Sequence, residues 1–474
     1  MVLLASIAVA AALYAFGLRI EMDGGGSPHL RFVQSEQARL DAVARHRAQQ
    51  SAFAEAAGAG PATPTSKAGT PDPGTPDRET RAPSPETRST SYWPDFRGPR
   101  RDGHYRQVAI RTDWPAAGLT PIWKQPVGGG YASFAIADGR AFTIEQRGER
   151  EVVAAYDLKT GRELWTNAWQ AAFRELMGGD GPRATPTWSD GRVYALGAEG
   201  ELRCLDEQTG EVEWRTNILE DAGATNLPWG MAASPLVAGD HVIVFPGGRN
   251  GASLVAYDRL TGRRVWSALD DQASYSSPML VTLAGVPQIV AFSASRVLGL
   301  SLQSKEVLWE YPWKTQFDIN ASQPLVIGDN RLFVSTGYGT GAAVIELTPS
   351  GSGLAVREVW RNIFMKNQFS SSVLHDGFIY GLDESILACL DAATGERKWK
   401  GGRYGYGQVM LAGGHVIVLT ERGDLALVRA TPERHEEIVR FPILEGKTWN
   451  HPAMADGILL VRNLQEMAAF DLRR

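Results

Sequence analysis

The sequence predicts an all-β protein: an eight-bladed β-propeller of four-stranded blades with N/C-terminal blade closure, preceded by an N-terminal hydrophobic helix and a disordered linker. Three observations predict it. A tryptophan recurs behind one turn motif, a turn doublet recurs between those tryptophans, and the incomplete first and last repeats complement each other. Periodicity is read before single residues because a missed repeat misassigns the whole fold.

The motif Asp-x-x-Thr-Gly-x-x-x-Trp occurs as Asp157/Thr160/Gly161/Trp165, Asp206/Thr209/Gly210/Trp214, Asp258/Thr261/Gly262/Trp266 and Asp391/Thr394/Gly395/Trp399. Weaker copies end at Trp123, Trp309 and Trp360, and Phe441 stands in the tryptophan place of another. The eight anchors lie 42, 49, 52, 43, 51, 39 and 42 residues apart, which suits four short strands per repeat. In this motif aspartate accepts backbone N–H bonds, threonine supports the turn and glycine takes the left-handed conformation. The tryptophan then falls on the outer strand, where a large ring with one N–H donor can wedge between blades. These docking residues are therefore structural.

Inside the intervals, turn doublets separate two β-rich runs: Asp138-Gly139, Asp190-Gly191, Gly239-Asp240, Gly328-Asp329, Asp376-Gly377, Gly413-Gly414 and Asp456-Gly457, with Gly285 the poorest version. Asp-Gly between alternating hydrophobics marks a tight hairpin, because primed turns need positive φ. Trp123 has no preceding strands and the segment 450–472 has no following tryptophan. Shared in one blade, the two ends close the ring and leave no open sheet edge.

The front of the chain reads differently. Residues 2–18 carry no charge and Arg19 ends the run, the length of a minimal membrane span or a long signal segment. Residues 1–20 are accordingly expected to be a transmembrane anchor or signal segment. A retained anchor would fix the chain to the inner membrane with the propeller in the periplasm or otherwise outside the cytoplasm. Residues 21–57 suit a solvated helical stalk, rich in Ala, Arg, Gln and Glu. Residues 58–91 form a proline-rich stretch that cannot bury enough surface to fold, leaving 92–474 for the propeller. Cys204 and Cys389 occupy the same repeat position, ten residues before a tryptophan. Four blades apart, they cannot approach a disulfide's roughly 4.4–6.8 Å Cα separation, so no disulfide is expected.

The Ala-Tyr-Asp-x-x-Thr-Gly-x-x-x-Trp units resemble the tryptophan-docking repeats of the pyrroloquinoline-quinone-type (quinoprotein-like) propellers. The lead-in Trp93-Pro-Asp-Phe-Arg-Gly-Pro-Arg-Arg-Asp-Gly103 is similar to that of an exported bacterial subgroup likened to the outer-membrane assembly-factor propeller. For the quinone alcohol dehydrogenases the resemblance would imply a bound quinone, a calcium ion, a catalytic aspartate and adjacent cysteines. This chain has no Cys-Cys pair, so those site residues do not carry over.

In a propeller the connections after each outer-strand tryptophan share a face with the start of the innermost strands, and that channel mouth is the default binding site. Arg183, Trp229, Trp313, Lys314, Gln323, Lys366, Asn367, Gln408, Asn450 and His451 are the candidate ligand-binding residues there. Arg183, Lys314 and Lys366 could meet an acidic or quinone-like ligand while Trp229 stacks on it. The plainer reading is a solvated funnel whose aromatics pack loops. Catalytic residues are unassigned; Asp180, Asp318, Asn320 and Glu384 would have to converge in the channel for a dehydrogenase. The scattered histidines offer no metal site, His241 and His415 reading as exposed hairpin residues, and no Gly-x-Ser-x-Gly elbow is present. A net charge of -5 excludes a nucleic-acid footprint. The expected function is a non-catalytic, membrane-tethered scaffold for an envelope protein or extended ligand, with no cofactor. The alternatives are a diverged dehydrogenase using pyrroloquinoline quinone with calcium, and a polysaccharide-binding module.

Overall fold

Eight antiparallel sheets stand where the repeats predict eight blades. The computed structural model describes residues 17–56 and 92–474; the expected anchor up to residue 16 and the proline-rich linker at 57–91 lie outside the described residues. Blades 1 to 7 span 135–170, 187–217, 236–268, 279–312, 325–362, 373–403 and 408–442. Blade 8 joins three C-terminal strands to Trp123–Pro126, with Glu466 opposite Pro126 and Ala469 opposite Trp123, which is the expected closure. Asp138, Asp190, Asp376 and Asp456 take positive φ ahead of their glycines, as primed turns require. Gly328-Asp329 departs from the pattern, since Ile327 faces Arg331 across a three-residue loop.

The seams explain why the tryptophan recurs. Trp165 Nε1 donates to Glu207 O, Trp214 Nε1 to Arg259 O, Trp360 Nε1 to Ala392 O and Trp123 Nε1 to Leu158 O, in each case the carbonyl just after the next blade's aspartate. The motif glycine lies beneath the incoming ring: a Cβ on Gly161, Gly210, Gly262 or Gly395 would overlap Trp123, Trp165, Trp214 or Trp360. The aspartate folds the turn locally, Asp206 Oδ1 accepting Thr209 N at 2.8 Å and Thr209 Oγ1 at 3.0 Å. Two residues past the tryptophan, Gln125, Asn167 and Asn362 donate at 2.8–2.9 Å to the carbonyl of the same glycine. In six blades a β-bulge directly follows the residue paired with the anchor tryptophan.

Blades 3 to 5 break the pattern. In blade 4 Lys305 replaces the glycine at φ 63°, and its Nζ takes Leu302 O, the carbonyl Trp266 would need. Trp266 Nε1 is left without a hydrogen-bond partner, with the ammonium 4.9 Å above its ring. Trp309 bonds instead to Gln288 of its own blade, and the long blade 5 hairpin Gly341–Ser350/Gly353–Asn362 leans on that strand through Tyr311 OH and Glu358.

Four sequence readings are corrected. The segment expected as a solvated stalk starts as a hairpin, β1 (Leu18–Met22) paired with β2 (Pro28–Phe32), and only then becomes a helix, α1 (Glu36–Ala56). That helix is docked and not solvated: Arg47 reaches Glu163 at 3.1 Å and Pro126 O at 3.0 Å, and Gln50 bonds Gln125, so it covers the closing seam between blades 8 and 1. Composition could not reveal this, because the partners lie more than seventy residues away. His415 is buried rather than exposed, its Nδ1 2.7 Å from Gly413 O.

The fourth correction concerns Trp399, expected as a docked wedge equivalent to the other motif tryptophans. Trp399 is instead only half-buried, and it does not cover a motif glycine. Blade 7, which receives it, has Arg429 in the aspartate place and a longer turn without the Thr-Gly pair. Trp399 Nε1 therefore donates at 2.8 Å to Thr431 O, one residue past the usual carbonyl, and its ring meets His435 edge-on at 5.6 Å. The motif in a tryptophan's own blade says nothing about the turn of the blade it docks on. Cys204 and Cys389 are buried in blades 2 and 6, on opposite sides of the ring.

Candidate functional site: an aromatic mouth above a plugged channel

The lead-in segment fills the channel. Tyr92–Trp93 adds to the inner edge of blade 1 and His104–Tyr105 to blade 7, and between them Arg97 and Arg101 reach the inner-strand starts of blades 6, 3 and 4. Arg97 and Arg101 sit at φ 60° and 54°, and their guanidiniums replace the missing sheet partners of the inner strands. Arg101 pairs bidentately with Asp95 and donates to the carbonyls of Pro235 and Pro278; Arg97 donates to Ser372 O at 2.7 Å. Phe96, edge-on to His451 at 4.9 Å, forms the floor of the space above.

That space is a cavity of about 570 Å³ at the mouth. Its walls are aromatic: Tyr131 stacks on Trp449 at 5.3 Å, Phe369 meets Trp449 at 4.5 Å, and Trp229 faces Tyr275 at 5.9 Å. Burial pushes the Tyr275 and Tyr406 hydroxyls up to about 12, so both stay protonated at neutral pH. Burial lowers the Lys447 ammonium, 3.6 Å over the Trp449 ring, to about 8. His451 is held well below its ordinary value by burial and then by Arg97, and is neutral. Arg183 lies over Phe173 and Tyr131 at 4.5 and 5.6 Å, with its donors turned to the carbonyls of Gly179 and Gly181. The result is a mainly aromatic funnel, with Arg183 and Glu384 among its lining, suited to stacking and to reading main-chain groups.

Part of the mouth is already filled. The turn between β1 and β2 lies in it: Gly24 N donates to Glu421 Oε1 at 2.7 Å, and Gln368 Nε2 donates to Gly24 O at 2.7 Å.

Of the ten sequence-predicted residues, Arg183, Trp229, Gln408 and His451 line this cavity. The other six are not part of the lining. Gln323, Asn367 and Asn450 are buried and bond backbone, to Ser277 O, Leu382 O, and the carbonyls of Gly130 and Ala132. The recurrence of polar residues at inner-strand starts now has a cause. Ser133 N bonds Thr185 Oγ1, Thr185 N bonds Ser234 Oγ, Ser234 N bonds Ser277 Oγ and Gln323 N bonds Ser371 Oγ, a girdle tying one blade to the next. Trp313 is buried with its Nε1 on Thr336, Lys366 pairs with Asp383, and Lys314 is exposed elsewhere. Sequence reading missed Tyr131, Tyr275, Phe369 and Trp449, although each stands one or two residues before a girdle or inner-strand polar position.

The residues also test for a quinone and its calcium. Of the four side chains that would need to converge, only Glu384 lines the mouth. Asn320 is spent on Ser293 O and Thr336 Oγ1, Asp318 is exposed, and Asp180 lines a separate groove beneath α1. Among the described residues no group of three or more His, Cys, Asp or Glu side chains is arranged for a metal ion. These residues do not fit the quinone-calcium pair.

Repeat seams, ring closure and channel-mouth geometry define a quinoprotein-like β-propeller. Solved propellers share the fold: BamB from Moraxella catarrhalis (TM-score 0.54, 15% identity, 74% of this chain and 99% of that one) and quinohemoprotein alcohol dehydrogenase from Comamonas testosteroni (TM-score 0.58, 13% identity, 81% of each). Residues 149–401 match the family described as outer membrane protein assembly factor BamB, and the chain belongs to that family. Proteins named outer membrane protein assembly factor BamB from Bordetella pertussis (22% identity; 63% of this chain, 72% of theirs) and Burkholderia pseudomallei (24%; 70% and 85%) are similar to it.

Proposed function

We propose that this chain is a non-catalytic propeller of the cell envelope, a scaffold that holds a partner protein segment at its aromatic mouth. The observation that carries the reading is the mouth itself, a cavity walled mainly by aromatic rings, where of the four side chains a dehydrogenase would need only Glu384 is present. The names of its relatives, assembly factors for outer membrane proteins, support a place outside the cytoplasm and a protein partner. Residues 1–20 would tether it and 58–91 would give it reach; the choice of the inner membrane rests on the uncharged run alone.

The test is a photo-crosslinking residue placed at Tyr275 in the full-length protein in cells. Crosslinks to envelope proteins are expected, and their absence there would sink the reading. The dehydrogenase alternative is tested by titrating the full-length protein with pyrroloquinoline quinone and calcium. No binding is expected; calcium-dependent binding with dye-linked alcohol oxidation would replace the scaffold reading.

A further inference from the structure

We propose that the mouth recognises a tight β-turn carrying an acidic residue followed by glycine, and that the chain's own Asp23–Gly26 turn occupies this site in cis until a partner's turn of the same kind displaces it. The proposal rests on the reading of the mouth as the binding face and names what it binds.

The turn is read through its backbone. Both main-chain groups of Gly24 are bonded, the N–H to Glu421 and the carbonyl to Gln368, so two blades hold one residue. Glu421 is itself positioned, its Oε1 also accepting Trp449 Nε1 at 3.0 Å and its Oε2 accepting Tyr406 N at 3.2 Å. The site also demands glycine. Gly24 lies flat on the Tyr406 ring, and a Cβ there would overlap Tyr406 Cβ and Cγ, atoms too close to the main chain to swing away. Its φ is not in the left-handed region, so the demand comes from the site and not from the turn's own backbone.

The acidic residue shapes the unit that is read. Asp23 Oδ1 accepts Ser27 N at 2.8 Å and Gly25 N at 3.0 Å, with Gly26 N closing on Asp23 O at 2.9 Å. A partner loop with the same pair would preform the same turn. Beyond it, the rings of Trp229 and Tyr275 still face open cavity, room for an apolar side chain next to the incoming turn.

The hairpin is built to leave. Leu18, Ile20 and Met22 pair across with Phe32, Leu30 and Pro28, so one face of this two-stranded sheet is wholly apolar. Most of that face is exposed, Ile20 by 63% and Leu30 and Phe32 by 70%, while Leu18 and Met22 are half-buried. An isolated hairpin is marginal in water, and this one gains little from burying its own apolar face.

A labelled peptide of residues 18–33 is titrated into the full-length wild type and into Gly24→Val. Removing the cis turn should tighten binding by about tenfold or more, because the competent fraction rises toward one. The same peptide carrying Gly24→Val should bind neither protein. Equal affinity for both proteins, or no binding to either, overturns the proposal. If Gly24→Val does not fold, hydrogen exchange of the wild type decides: a protected Gly24 amide is expected, and exchange as fast as that of a free peptide overturns the cis contact. Peptide binding without envelope crosslinks at Tyr275 would leave turn recognition standing and remove the scaffold reading; crosslinks without peptide binding would do the reverse.

Discussion

The seam between blades 2 and 3 and the seam between blades 3 and 4 use the same ring with different results. At the first, Trp214 covers Gly262 and donates at 2.9 Å to Arg259 O. At the second, where Ser301 and Ser304 stand for the aspartate and threonine, Lys305 in the glycine place fills the space under Trp266 and takes its carbonyl. The ring survives there as apolar bulk while its N–H is orphaned. The pairing thus depends on the absence of a Cβ in the neighbouring blade as much as on the tryptophan. At this poor seam the girdle at the channel still ties blades 3 and 4, through Ser234 N and Ser277 Oγ.

The largest expected effect is at the good seam. Trp214→Ala should cost about 3–5 kcal/mol by denaturant titration, because it removes a buried ring and orphans a carbonyl. A loss under about 1 kcal/mol would break the docking argument at that blade.

Next comes the seam between blades 1 and 2, where Glu151 is fully buried with one oxygen on Ala198 N and the other unpartnered. Burial raises its carboxyl from 4.5 to about 7, against the Ala198 hydrogen bond. Between those values the folded chain holds a proton that the unfolded chain has released. Stability should therefore fall as pH rises through that window and level off above it, by on the order of 3 kcal/mol. Glu151→Gln should flatten that slope in denaturation curves taken across pH 4–8.

Repairing the poor seam should have a smaller effect of opposite sign. Lys305→Gly relieves a left-handed non-glycine residue and returns Leu302 O to Trp266, for a gain of about 1–2 kcal/mol. A neutral or destabilising result would mean that the ammonium over the Trp266 ring is worth more than the docking it replaces. Smallest of all, Tyr406→Ala at the mouth should change stability by under about 1 kcal/mol while weakening retention of the Gly24 turn, read as faster exchange of its amide.

Legibility in the sequence followed the range of the interactions. The Asp-x-x-Thr-Gly turn closes within four residues, so its hydrogen bonds and its left-handed glycine could be read locally. How a tryptophan docks could not, as Trp266 and Trp399 show: each follows a complete motif, yet Lys305 and the Arg429 turn of the receiving blades change the outcome. The inner-strand polar residues were visible as a recurrence, but their role as a blade-to-blade girdle was not, since each bond joins residues about 43 to 52 apart in the chain. Lys314, Lys366 and Trp313 looked like mouth residues because they follow an outer-strand tryptophan. Folding instead turned Lys366 onto Asp383 and buried Trp313 against Thr336.

Blade count and closure were determined by the sequence alone, because they depend on short-range turn chemistry repeated at a steady interval and on two half-repeats that need each other. The mouth was decided only by the tertiary structure. Gly24 meets Glu421 across 397 residues, Arg97 meets Ser372 across 275, and Arg47 meets Glu163 across 116. No periodicity announces such pairs, because each occurs once and exists only after the ring has brought distant loops to one face.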